Sequence, residues 1–182
     1  MRIGIDISQT AYKGTGVARY TRKLVEHLLE IDQENEYVLF FSSMRNKIPN
    51  YKFKIPNKSQ IPNSKFKIKT FKFPLTFLHL LWNKLHICPI EWLIGPVDVF
   101  LSSDWVQPPS QKAKMVTVVH DLTPWKYPET LDKKIVRTHR SRMKWVKKEC
   151  QAIICDSEST KKDVQEILGI EERRLKVVYP GI

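Results

Sequence analysis

The first 31 residues constrain the fold more than any other stretch. Ile3, Ile5 and Ile7 alternate along Arg2-Ile3-Gly4-Ile5-Asp6-Ile7, the pattern of a short strand. A polar turn ending in Gly14-Thr15-Gly16 follows. From Val17 the apolar period changes, through Tyr20, Leu24, Leu28 and Ile31, to the spacing of one helix face. A buried strand that feeds a glycine turn and then a helix N-terminus is suited to anions. Glycine lets the backbone approach closely, and the first helical N–H groups and the dipole favour negative charge. The segment reads as the phosphate-facing end of a Rossmann-like domain.

Two familiar nucleotide sites are excluded by what comes next. Residues 36–41, Glu-Tyr-Val-Leu-Phe-Phe, predict a second strand. A dinucleotide fingerprint wants a third glycine where Arg19 stands, and an acidic residue after the second strand where Ser42 and Ser43 stand. No glycine is followed by Lys-Ser or Lys-Thr, so the P-loop is absent too.

Residues 43–70 read as a basic loop insertion. Lys52-Phe53-Lys54-Ile55 recurs as Lys65-Phe66-Lys67-Ile68, among three prolines and many Asn, Ser and Lys residues. Alternation from Phe66 onward suits an edge strand at its end. Pro74 opens a helical stretch whose stripe is Phe77, Leu78, Leu81, Trp82 and Leu85, with His79, Asn83 and His86 expected on its surface. That stripe faces either the core or a lipid-bearing surface. Residues 97–101 predict a strand, and Met115-Val116-Thr117-Val118-Val119 predicts a central one buried on both faces. It delivers His120 and Asp121 to the sheet edge where ligands of open α/β sheets sit.

Pro124 and Pro128 predict a turn without helix over residues 122–128. A basic helix over 131–149 follows, with Leu131, Ile135, Val136, Met143 and Val146 to bury, and then a strand over 152–155. Ser157 is a good N-cap and Glu158 complements the positive end of the next helix, which turns Val164, Ile167 and Leu168 inward and stops at Gly169. Residues 175–179 predict a last strand. The order is that of an α/β domain with a doubly wound, mostly parallel sheet. No helix closes it, which suggests a truncated chain or an excised domain.

Charge narrows the partners. The formal net charge is +12. Nine basic and no acidic residues lie in 43–72, and 131–149 has a net charge of +6, so the rest is mildly acidic. Such segments attract phosphates, anionic lipid or nucleic acid, or simply form solvated faces. Lysines interleave with Phe53, Phe66, Phe71 and Phe73, but no nucleic-acid fold signature accompanies them, so nucleic acid is disfavoured. The three cysteines are odd in number and lack metal spacing, which points to a reducing compartment. No signal peptide and no transmembrane run are expected, so the predicted location is cytoplasmic.

His120 is the leading catalytic candidate: it ends a buried strand and an imidazole donates or accepts near neutral pH. The other reading is a structural hydrogen-bonding residue. Ser157 and Glu158 are either a plain cap or a second anion-facing helix end. No metal site is expected.

Four places together resemble the N-terminal domain of the retaining glycosyltransferases of family four, the group-one family. They are Arg2–Asp6 with Gly14–Tyr20, Val97–Phe100 leading to Pro108-Pro109, Val118–Leu122 with Pro128-Glu129, and Ile153–Glu158 through Leu168-Gly169-Ile170 to Val177–Ile182. The resemblance implies one half of a two-Rossmann-domain, B-type transferase fold. Residues 1–179 would form the acceptor-side domain and 180–182 the start of an interdomain linker, with the C-terminal donor-binding domain absent. It implies a nucleotide-sugar donor, a carbohydrate or lipid-linked acceptor, retention of anomeric configuration and no metal or other cofactor. Gly14, Thr15, Gly16 and Val17 would lie against the donor phosphates or sugar. His120 would contact the donor sugar near the reacting carbon, and Arg19, Asp121, Ser157 and Glu158 would line the acceptor side of the cleft. A lipid-linked acceptor would place the protein peripherally on the inner membrane face, and the isolated chain would transfer little or nothing.

Overall fold

The computed structural model describes residues 1–12, 14–44 and 66–181. Seven strands form one sheet in the order β3-β2-β1-β4-β5-β6-β7, and every neighbouring pair is parallel. They are β1 (Arg2–Asp6), β2 (Glu36–Ser42), β3 (Phe66–Phe71), β4 (Val99–Ser102), β5 (Lys114–Val119), β6 (Cys150–Cys155) and β7 (Leu175–Val177). The chain runs outward from β1 to β3, then returns to the other side of β1 as β4. The expected doubly wound α/β fold is borne out, and its switch point lies between β1 and β4.

The residues explain the layers. Along β2, Tyr37, Leu39 and Phe41 join Ile5, Val25 and Leu29 in one core under α1 (Gly16–Ile31). The alternate residues Val38 and Phe40 join Phe100, Trp82, Met115, Met143 and Val146 in a second core. That alternation explains why the strand is apolar throughout: it is buried on both faces. Gly4 permits the closest strand packing, because a Cβ there would lie 2.6 Å from the Phe100 ring.

Five expectations need correction. Residues 66–70 belong to β3, an edge strand whose Phe66 and Ile68 are half-buried while Lys67 and Lys69 are exposed, so the insertion ends earlier than residue 70. The repeat loop before it, 45–65, lies outside the described residues. The helical stripe after Pro74 holds only in part. Leu78 and Trp82 are buried, but α2 (Leu75–Leu78) continues into a π-turn (His79–Lys84). Its wider spacing shifts the phase. Leu85 is therefore exposed and Asn83 is buried, while Phe77 stays at the surface beside Phe73.

The histidines of this stretch are not simple surface residues either. His79 accepts a hydrogen bond from Asn83 Nδ2 at 2.9 Å, and the His86 side chain is only 8% exposed. A one-turn helix, α4 (Thr123–Lys126), occupies the expected turn: Pro124 sits in its first turn, where a missing N–H is harmless. In α6 (Glu158–Leu168), Val164 is buried but Ile167 is exposed, because the inward row is Thr160, Val164 and half-buried Leu168.

The remaining helices are α3 (Glu91–Ile94) and α5 (Lys133–Glu149). On α5, Lys133, Arg137, Arg140, Lys144 and Lys147 form a solvated stripe, but Arg142 is fully buried. The second basic segment is thus part surface and part interior. Among the described residues no helix is long and apolar enough to cross a membrane. All three cysteines are free, and burial pushes the thiols of Cys150 and Cys155 up to about 12 and about 11.

Candidate functional site

Strand register builds the centre of the site. Val119 of β5 pairs with Cys155 of β6, so the next residues, His120 and Asp156, emerge side by side at the C-terminal sheet edge. His120 Nδ1 lies 2.6 Å from Asp156 Oδ2. A carboxylate only accepts, so Nδ1 carries a proton, and in the neutral tautomer Nε2 is left as the acceptor. Among the described residues Nε2 has no hydrogen-bond partner. Tyr20 of α1 meets the His120 ring edge-on at 5.0 Å. Burial, helped by the Asp156 charge, pushes the Tyr20 phenol up to about 12, so it remains a hydroxyl. Thr160 Oγ1 donates to the His120 carbonyl at 3.2 Å and ties α6 to the end of β5.

Acidic groups crowd around this pair. Asp6 ends β1, accepts from Ser8 N at 2.9 Å, and is raised above the usual carboxylate range by burial. Asp104, in the loop after β4, is raised by burial against the opposing pull of Arg142 and His120. The Arg142 guanidinium donates to Thr117 Oγ1 and, at 3.3 Å, to the Val118 carbonyl. Burial also lowers its proton affinity, which Asp104 partly restores. His139 of α5 is lowered to about 4 by burial, with Arg142 adding to the effect, so it is neutral at pH 7.

A cavity of about 220 Å³ runs between these groups, lined by Asp104, His120, Asp121, Trp125, His139 and Arg142 among others. Val17 lines it as well. Gly14, Thr15, Gly16 and Arg19 line a separate cavity of about 400 Å³ at the start of α1, together with Arg22. There Gly14 takes a φ of 88°, which suits glycine, and Thr15 caps the helix by accepting from Ala18 N at 3.2 Å. Asp121 reaches the first cavity but also accepts from Thr123 N at 2.8 Å, capping α4. Ser157 caps α6 through Thr160 N at 3.1 Å, and Glu158 is an exposed first-turn residue. Neither lines the His120 cavity; the residue before them, Asp156, is the one that meets His120.

The amino-acid sequence matches the family model described as Glycosyltransferase Family 4 over residues 14–182. The chain belongs to glycosyltransferase family 4. The expected kinship with the N-terminal domain of group-one transferases is borne out, and the Rossmann-like sheet agrees with it. No curated protein matches the chain. Within this family-4 domain, sequence reasoning missed Tyr20, Asp104, His139, Arg142 and Asp156. Asp156 had a usable signal, since it follows β6 as His120 follows β5. Asp104 and Arg142 had none, because the fold alone brings the β4 loop and mid-α5 together.

Proposed function

We propose that this family-4 domain is the acceptor-side half of a retaining glycosyltransferase that uses a nucleotide-sugar donor. A C-terminal donor-binding domain would complete the cleft. The observation that carries the reading is the His120–Asp156 pair at the C-terminal sheet edge, in a cavity that Val17, the residue after the glycine turn, also lines. Departure of a nucleoside diphosphate develops negative charge. The N-terminus of α1, with Arg19 and Arg22 in the same cavity, is suited to stabilise that charge without a metal. His120 then acts by accepting a sugar hydroxyl and fixing the ring, with Asp156 holding the imidazole.

The test is a transfer assay with labelled nucleotide sugars, reading the anomeric configuration of the product. The full gene product transfers with retention, whereas residues 1–182 alone transfer at background. Inversion, or full activity from residues 1–182, contradicts the proposal.

A lipid-linked acceptor at a membrane surface is a second reading, favoured by one observation. Leu80, Leu85, Ile87 and Trp92 are exposed near Lys84 in the segment after Pro74. Sedimentation with anionic vesicles but not with neutral ones supports this reading. Equal recovery in the supernatant with both removes it.

A further inference from the structure

A groove of about 910 Å³ lies at the other end of the sheet from His120. The neighbouring strands β1, β4 and β5 begin at Arg2, Val99 and Lys114, and all three residues line it. Ligands of open α/β sheets sit at the opposite, C-terminal edge. Lys114 and His120 are separated by the length of β5, about 20 Å at the rise of a strand. The transferase reading therefore leaves this groove unused.

Its wall is held in place by one carboxylate. Glu91, on the one-turn helix α3, accepts at Oε1 from Ser110 Oγ at 2.7 Å and from the N–H groups of Gln111, Lys112 and Ala113 at 3.0–3.1 Å. Burial raises this carboxyl, but hydrogen bonds from Ser110, Lys112 and Ala113 outweigh burial and hold it at about 2, so the clamp stays charged. It ties α3 to the 110–113 loop and sets Trp92 and Lys112 in one wall. The floor is tied likewise, since Asp98 Oδ2 accepts from Arg2 N at 2.7 Å.

Two chemistries meet in the groove. Trp92 is 67% exposed, with Met1 and Pro96 also at the surface. Around them stand Arg2, Lys112 and Lys114, and among the described residues none of these side chains forms an ion pair. The two carboxylates of the lining, Glu91 and Asp98, are both engaged by backbone donors. An exposed tryptophan in a fixed wall, rimmed by free cations, is built like an interface anchor with a steering rim.

Charge and shape select the occupant. A second copy of this chain, at a net charge of +12, is repelled, and residues 45–65 carry six basic and no acidic side chains. A bilayer surface does not follow a concave floor that reaches buried Val97. Single-stranded nucleic acid stacks on successive aromatic platforms, whereas Trp92 is the one aromatic residue in this lining among the described residues. An acidic chain segment with a bulky apolar side chain matches both the indole and the rim.

We infer that this groove docks an acidic polypeptide segment of a partner protein, whose apolar side chain packs on Trp92 and whose carboxylates meet Arg2, Lys112 and Lys114. The inference goes beyond the transferase reading and does not rest on it.

The chain of residues 1–182 is titrated with labelled octapeptides: an acidic one with Leu-Phe at its centre, the same acidic one with Ser-Ser there, and a lysine-rich one with Leu-Phe. Fluorescence anisotropy gives the affinity. The Trp92 indole N–H, assigned by its loss in Trp92→Ala, gives the place by NMR. The acidic Leu-Phe peptide binds saturably and shifts Trp92, while the other two bind at least about 10-fold more weakly. Trp92→Ala weakens it at least about 10-fold, and so does Lys112→Glu with Lys114→Glu, with amide signals elsewhere unchanged. Lys144→Glu with Lys147→Glu, on the exposed stripe of α5, changes the net charge equally and leaves binding within about twofold.

No Trp92 shift, equal binding by the Ser-Ser peptide, or an equal loss from the α5 reversal overturns the inference. So does a Trp92 response to anionic vesicles or to oligothymidylate that the acidic peptide does not match, which gives this face to a membrane or a single strand instead. None of these outcomes bears on the transferase reading, whose test is transfer.

Discussion

His86 and His120 each sit against a carboxylate from another element, and they are held differently. His86 Nε2 lies 2.8 Å from Glu149 Oε1 while its Nδ1 lies 2.8 Å from the Trp82 carbonyl. Its ring stacks on Trp145 at 3.5 Å, and its φ of 52° lies in the left-handed region, where histidine is over-represented among residues other than glycine. Both ring nitrogens face acceptors and the side chain is 8% exposed, so nothing remains for a ligand. His120 spends one nitrogen on Asp156, touches Tyr20 only edge-on, and is 18% exposed. The difference separates architecture from function: a histidine with both nitrogens committed holds two elements together, whereas one held by a single nitrogen can meet a substrate.

The largest effect on stability is expected at the first pair. His86→Ala removes the ring stacked on Trp145 and the contact with Glu149, two of the links between the 79–90 segment and α5, and costs about 3 kcal/mol. Thermal unfolding should show a fall in Tm of roughly 6–12 °C for a domain of this size. Activity per folded molecule should stay within about twofold; a large loss there would erase the distinction between the two histidines.

His139 sharpens the comparison, since among the described residues no carboxylate hydrogen-bonds to it. Burial is the main cause that lowers it from 6.5 to about 4. The unfolded chain therefore takes up this proton first. Stability is complete above the unfolded value of 6.5 and declines as pH falls toward about 4. The fully developed effect is about 3 kcal/mol. Denaturant titrations from pH 7.5 to 4.5 should show this slope, and His139→Gln should flatten it. An unchanged slope would mean that other groups carry it.

Asp156→Asn comes next. It keeps the shape but lets the imidazole take either tautomer, so transfer by the full gene product falls about 10-fold, or ~1.4 kcal/mol. Thermal stability should change by under about 1 kcal/mol. A stability loss as large as that of His86→Ala, with transfer unaffected, would make the second pair architectural too. The smallest effects are at the two helix caps. Thr15→Ala and Ser157→Ala each cost about 1 kcal/mol in unfolding experiments. Only Thr15→Ala should also weaken phosphate binding, because Thr15 lines the cavity at the start of α1 and Ser157 lines none near His120.

How much of this was legible in the sequence follows from the range of the interactions involved. The strands β1, β2 and β5 and the helices α1 and α6 were legible because period and caps are local signals. His120 at a strand end was legible for the same reason. The π-turn was not: an extra residue in one turn leaves no mark in the apolar pattern, so Asn83 looked like a surface residue. Its side chain instead holds Gln107 N and the Trp105 carbonyl, and its own carbonyl accepts from Ser141 and Trp145. His139 and Arg142 lie 35 and 38 positions after Asp104 in the chain, and only β-sheet topology brings all three to one cavity. Prolines misled as well, since Pro124 reads as a helix breaker yet fits the first turn of α4.

The central claim is that His120, oriented by Asp156, faces a sugar-transfer cleft while His86 does not. The most direct measurement compares transfer rates of the full gene product carrying His120→Ala and His86→Ala, each normalised to folded protein. The expected result is a loss of about 10²–10³-fold for His120→Ala and near-parental transfer for His86→Ala. Parental transfer by His120→Ala would contradict it.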